Sequence, residues 1–365
     1  MSSHRNSVSW IQAFMLIALS LGVTSHIIIL SPLMREGQRD AWIGVLMAAA
    51  CCLAIVPLIY FVMKKTGNQN LYFWIRDRYG KGIALLLVVP AVLQIWFVCV
   101  VVLKESVNWA KSVYLPLTPP FFIALLYLTF AFIAAKSGLR TIALTAGALL
   151  PLLIVMNLFV VAANVPNAEF SYLTPVLEHG LRPAANAGLM ALSTLSEISV
   201  VLLLQHYIRA PLKQWPLWAN AAYLVFFMLA LTIQAIATFG PTEASKQLYT
   251  LYEEWRLVRI DKFFERTDIW SVFQWYIGTM LRLSTFMFIV GQLLSAGQER
   301  RRSKVLAIVC TSTLVPALLP VSDHTWRQLL MRYYMPVSVT LWIGLLILLA
   351  ILVGLRARNG VERSV

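Results

Sequence analysis

Residues 191–199 read Ala-Leu-Ser-Thr-Leu-Ser-Glu-Ile-Ser, and an apolar run continues from there to Leu204. Ser193, Thr194, Ser196 and Ser199 supply hydroxyls, and Glu197 supplies a carboxylate. A carboxylate at membrane depth costs a few kcal/mol, so it marks a functional site by default. The competing reading is structural: Glu197 pairs with a neighbouring helix and holds a bundle together. A second charge, Arg282, sits mid-run in Gly-Thr-Met-Leu-Arg-Leu-Ser-Thr, residues 278–285. It needs a carboxylate, a lipid headgroup or water. As a free carboxylate, Glu197 could meet the ammonium of an amino acid. As a paired one, it would neutralise Arg282. The hydroxyls around Glu197 favour the free carboxylate, with Arg282 reaching water or lipid along its own helix.

A matching polar stretch, Gly22-Val23-Thr24-Ser25-His26, lies in the first apolar run. Glycine removes a side chain that shields the helix ladder, and Ser and Thr can rebond freed backbone groups. Small residues also let helices pack closely, which is the structural alternative. His26 could titrate near neutral pH or serve a structural hydrogen bond. Gln94 and Trp96 fall near the middle of the third run and could line a cavity. Lys104 and Glu105 at its end read as an interfacial pair. Asn157 and Gln234 read as interhelical hydrogen-bond glue. No Gly-rich phosphate loop, catalytic constellation or cluster with metal-ligand spacing appears. Neither an enzyme nor a cofactor is expected.

These side chains need elements to position them. The chain has 365 residues, 59% hydrophobic and 13% charged. The apolar residues come in blocks of about 20, the length that crosses ~30 Å of hydrocarbon. They do not alternate as barrel strands would. The class is an all-α polytopic membrane protein in one transmembrane domain. Ten spans are expected, near residues 10–30, 42–63, 83–107, 119–135, 141–163, 183–207, 217–239, 269–294, 304–320 and 335–355.

The net charge of +14 would suggest nucleic acid in a soluble chain. Here the basic residues sit mainly in loops, where they orient helices and meet anionic lipid. With the N-terminus cytoplasmic, cytoplasmic segments carry 17 Lys and Arg and the opposite side carries 12. Both termini are therefore expected inside. The four cysteines lie in apolar runs and imply no disulfide framework. The first apolar run is too long for a signal-peptide core and is expected to be retained.

Two loops carry amphipathic helices. In one, Leu248, Leu251, Tyr252, Trp255 and Val258 alternate with Glu253, Glu254, Arg256 and Arg259 as the charged side. The other begins at Leu71-Tyr72-Phe73-Trp74-Ile75-Arg76.

Ten spans with both ends inside divide into five plus five, with halves of opposite topology. That is the arithmetic of an inverted repeat, over residues about 10–163 and 183–355. Spans one and six then correspond, and both are expected to be broken. Half-helix ends attract a carboxylate at their N–H side and a cation at their C=O side, a match for an amino-acid zwitterion.

The chain resembles the B-subunit (GerAB-type) spore germination proteins of the amino acid–polyamine–organocation transporter superfamily. The resemblance rests on Val8-Ser9-Trp10-Ile11-Gln12, Glu197, Phe239-Gly240, Phe264-Glu265-Arg266-Thr267-Asp268, Trp275 and Arg282. A proline common in the family after span six is replaced by Gln205-His206-Tyr207. The resemblance implies a LeuT-like fold and the inner membrane of the spore. It implies a complex with an A subunit and a C-subunit lipoprotein, and a small germinant, usually an amino acid. It implies a ligand between spans one, three, six and eight: Gly22, Val23, Thr24, Ser25, Gln94, Ser193, Thr194, Ser196, Glu197, Ser284 and Thr285. The leading expectation is a ligand-sensing receptor subunit. The alternatives are an ion-coupled amino-acid transporter, for which Ser284 and Thr285 would offer cation ligands, and a structural or channel subunit that binds nothing.

Overall fold

Ser9 and Gln12 start the first helix by capping it reciprocally. The Ser9 amide donates to Gln12 Oε1 at 2.9 Å, and the Gln12 amide donates to Ser9 Oγ at 3.2 Å. This satisfies two donors that a helix start leaves open. The same segment is latched to the end of span six. Val8 N donates to Tyr207 O at 2.9 Å, Arg209 N donates to Val8 O at 3.1 Å, and Trp10 Nε1 donates to Pro211 O at 2.8 Å. The family-like opening Val8-Ser9-Trp10-Ile11-Gln12 is thus a cap and a latch.

A computed structural model of the chain describes residues 7–23, 27–209, 211–258, 267–295 and 298–361. Among them every expected span falls on helix. Eight stretches are long and apolar enough to cross a membrane. They include Leu71–Val113, Leu181–Tyr207, Trp215–Lys246 and Ile269–Ser295. Two expected spans fall short of that measure. Trp10–Gly22 is apolar but brief. Glu299–Ala317 opens on a run of charged residues.

Spans six and eight form the centre. Their apolar windows are 89% and 78% buried, against at most 56% for the other six. Span six packs closely on span two, Ala41–Thr66. Small residues make this possible: a Cβ on Gly44 would stand 2.6 Å from Ala184 O, 2.6 Å from Gly188 N and 2.7 Å from Ala187 Cβ. The two backbones touch. Span one, Trp10–Val23, packs against span five (Leu139–Asn164), span seven and span eight.

Both amphipathic loop segments are helical. The first is continuous with span three, starts on an Asn70 cap, and turns into the span at Gly80, whose φ of 86° favours glycine. The second is Thr250–Leu257. Its Leu251, Trp255 and Val258 are buried as expected, while Arg259 lies outside the described residues. Glu254 departs from the expected charged side. It is fully buried, and neither carboxyl oxygen has a partner among the described residues.

Burial pushes the Glu254 carboxyl well above the usual range. An unfolded chain ionises Glu254 above about pH 4.3, while the folded chain keeps the proton. Stability is therefore lost as pH rises from there towards the folded value. The melting temperature should fall between pH 5 and pH 8, and Glu254→Gln should flatten part of that slope. Identical slopes in the two proteins would show that Glu254 is not held neutral.

Candidate functional site

Span six changes form where its polar residues begin. An α-helix runs Leu181–Leu195, a 3-10 segment covers Ser196–Val200, and α-geometry returns for Val201–Leu204. Ser193 Oγ donates to Met190 O at 2.6 Å, and Ser196 Oγ donates to Ser193 O at 3.3 Å. Such bonds back to the preceding turn compete with the i−4 ladder and tighten it. The backbone stays right-handed, with Ser196 at φ −65°, ψ −23° and Val200 at φ −57°, ψ −23°. The expected break in span six is therefore a tightening, and no half-helix end opens there.

The α-helix of span one is described as far as Val23, Ile27 and Ile28 lie in a widened helical turn, and the next α-helix is Leu30–Gly37. Thr24, Ser25 and His26, along with Phe264, Glu265 and Arg266 of the family-like stretch, lie outside the described residues, as does the Val23 side chain.

Glu197 and Arg282 meet at the centre. Arg282 Nη2 donates to Glu197 Oε2 at 2.5 Å, with side-chain exposures of 1% and 2%. Arg282 Nη1 donates to Ser20 O in span one at 3.0 Å. Its guanidinium lies over the Phe286 ring, 4.7 Å from the centroid. Ser20 Oγ bonds Thr285 Oγ1 at 3.1 Å. The free-carboxylate expectation is thereby corrected: Arg282 turns inward to Glu197, not to water or lipid. One guanidinium ties spans one, six and eight together.

A small cavity adjoins the pair. Ser193, Thr194, Glu197, Arg282, Ile28 and Tyr334 are among the residues that line it. The space open to a water's centre is about 10 Å³, room for one water. Of these residues, Thr194 Oγ1 and Arg282 Nε are buried and have no hydrogen-bond partner among the described residues.

The other expected ligand residues lie elsewhere. Gly22 lines a separate cavity with Asn157, Tyr223 and Gln274. Span three reaches the pair's cavity through Val98, Val101 and Val102, not through Gln94. Ser196 bonds back to its own helix, as do Ser284, to Met280 O at 2.6 Å, and Thr285, to Leu281 O at 2.7 Å. Sequence reasoning missed Ser20, whose backbone carbonyl makes its contact. It also missed Tyr334, which sits on a widened helical turn, Leu330–Tyr334, with no residue-type signal.

Several side pairings also differ from expectation. Lys104 donates to Leu319 O at 2.8 Å and Ala317 O at 3.4 Å, satisfying the end of Glu299–Ala317. Glu105 instead accepts from Trp326 Nε1 at 2.6 Å. Gln234 bonds Thr238 within its own helix, whereas Asn157 joins Gln274 across helices at 2.8 Å. Thr267 Oγ1 donates to Trp255 O and Val258 O, both at 2.8 Å. Trp275 donates to Ser106 at 2.9 Å and stacks on Trp109 at 4.6 Å. These family-like positions brace span eight against span three and the loop helix.

The chain is a polytopic helical membrane protein built around a buried charge pair. Its sequence matches the family described as Spore germination protein over residues 7–317. It is 32% identical over 331 residues to Spore germination protein XB of Bacillus anthracis, covering 91% of this chain and 93% of that one. It is 25% identical over 264 residues to the YfkT protein of Bacillus subtilis (strain 168), covering 71% of each. The chain belongs to the spore germination protein family.

Proposed function

We propose that this chain is the membrane-embedded B subunit of a spore germinant receptor and recognises a free amino acid. The carrying observation is the buried Glu197–Arg282 pair beside a cavity lined by Thr194 and Arg282, whose Oγ1 and Nε have no hydrogen-bond partner among the described residues. A zwitterion complements an ion pair. Its ammonium suits Glu197 and its carboxylate suits Arg282, so insertion exchanges one charged contact for two. Its carboxylate also answers the two orphan donors. A neutral molecule between the two would strand both buried charges, and a singly charged one would strand one.

The cavity as it stands has room for no more than about one water, so binding requires spans six and eight to part. A ligand that binds only the parted form shifts the protein towards it. Of the expected set we retain Ser193, Thr194 and Glu197, with Ile28 and Ile29 as their span-one neighbours, and make the expected charge partner Arg282 a ligand contact. Gln94, Ser196, Ser284 and Thr285 act as packing.

The rest of the proposal follows the family. The chain sits in the inner membrane of the spore, both termini cytoplasmic, with an A subunit and a C-subunit lipoprotein. Its single domain is a LeuT-like five-plus-five inverted repeat of ten spans. One feature supports that repeat: each half carries an amphipathic helix between its second and third spans.

The test is thermal unfolding of the intact chain in nanodiscs with each of the twenty proteinogenic amino acids. At one hundred times its dissociation constant, a ligand bound only to the folded form adds about 2.7 kcal/mol. At least one amino acid should raise the melting temperature, and its deaminated acid and decarboxylated amine should not. No shift with any of them would overturn the receptor reading.

A further inference from the structure

A second cavity lies directly above the first. Ile28 and Leu330 line both and form the partition between them. The upper cavity is lined by Ser31 of the helix Leu30–Gly37, Glu105 of span three, Trp275 of span eight, Tyr249, and Arg327 of the short helix Asp323–Leu329. On span three, Glu105 follows Val101 and Val102 of the lower cavity by about one turn.

This cavity holds a carboxylate and a guanidinium that do not pair. Among the described residues no ion pair involves Glu105 or Arg327. Glu105, 8% exposed, accepts one hydrogen bond, from Trp326 Nε1. Lys104 is turned away to the carbonyls of Leu319 and Ala317. Arg327 Nη1 donates to Ser31 Oγ at 3.2 Å, which spends its own proton on Gln247 O at 2.8 Å. Among the described residues no carboxylate, Asp323 of the same short helix included, lies within ion-pair distance of the guanidinium. Leu248 and Tyr249 close the cavity from a non-helical link between Lys246 and Thr250, with Leu248 45% exposed.

We propose that this upper cavity is a second binding site for a small amino acid, with the ligand carboxylate on Arg327, its ammonium on Glu105, and its side chain against Trp275 and Tyr249. The link at Leu248 and Tyr249 swings aside to admit the ligand. Each cavity as it stands has room for about one water, so passage from this site to the Glu197–Arg282 pair requires Ile28 and Leu330 to separate together with the parting of spans six and eight. The inference rests on the reading of the ligand as a zwitterion.

The experiment is calorimetric titration of the intact chain in nanodiscs with the same twenty amino acids. The tightest binder is then compared with its deaminated acid and decarboxylated amine. The Glu197→Gln/Arg282→Gln double variant lacks the lower charge pair and should still bind one equivalent. Adding Arg327→Gln should weaken that binding about ten- to hundredfold, the loss of one charge-assisted contact. Adding Glu105→Gln should remove the preference for the amino acid over its deaminated acid. Binding that disappears in the double variant, or that ignores Arg327→Gln, overturns the upper site and leaves the receptor reading standing. If the wild-type chain binds none of the twenty, both fall. Should the double variant not fold, Arg327→Gln alone decides the matter, because the wild-type stoichiometry should drop from two to one. An unchanged stoichiometry overturns the proposal.

Discussion

Arg282→Gln and Glu197→Gln should each cost about 3–5 kcal/mol, because each strands the opposite charge in the interior. For a domain of ordinary stability that is a large share of the total. Each single variant should give little folded protein in detergent. The double variant should recover most of the yield, since replacing both charges removes the desolvation cost along with the attraction. Arg282→Gln should be the harsher of the two, because it also removes the bond to Ser20 O and the contact with Phe286. A double-mutant cycle on folded yield and melting temperature measures the coupling. Additive losses would show that the 2.5 Å contact carries no energy.

Gly44→Val should be at least as damaging. The atoms nearest its new Cβ include Ala184 O and Gly188 N, each at 2.6 Å, and these are backbone. No rotamer change on span six relieves them, so the helices must separate. Overpacking of this kind costs about 1–3 kcal/mol, and more where the obstacle cannot move. Gly344→Val is the matched control, because nothing lies within 4 Å of its Cβ position. Folded yield should collapse for Gly44→Val and hold for Gly344→Val. Equal yields would mean that spans two and six do not meet as described.

The spans and the two central charges were legible because membrane burial makes a charge conspicuous in an apolar run. Its partner was not. Arg282 and Glu197 are 85 residues apart, and the choice between pairing and freedom depends on how two helices rotate against each other. The local form of span six was also beyond sequence alone. Ser193 and Ser196 can cap an unwound helix or tighten a wound one, and the same residues serve both outcomes. Adjacent charges misled at Lys104 and Glu105, where each found a distant partner better placed than its neighbour. Glu254 was counted with the exposed side of its helix, because helical spacing cannot tell a short helix resting on a surface from one packed into it. The upper cavity was illegible altogether: Arg327 and Glu105 are brought together only by the packing of the short helix Asp323–Leu329.

The central claim is that an amino acid is sensed at the Glu197–Arg282 pair. The measurement that tests it most directly is the germination of spores carrying the Glu197→Gln/Arg282→Gln double variant in place of this chain, scored against the amino acid that stabilises the wild-type protein. Membrane level and melting temperature in the absence of ligand should be close to wild type, and the response to that amino acid should be lost. A full response from the double variant, at the wild-type concentration, would contradict the claim.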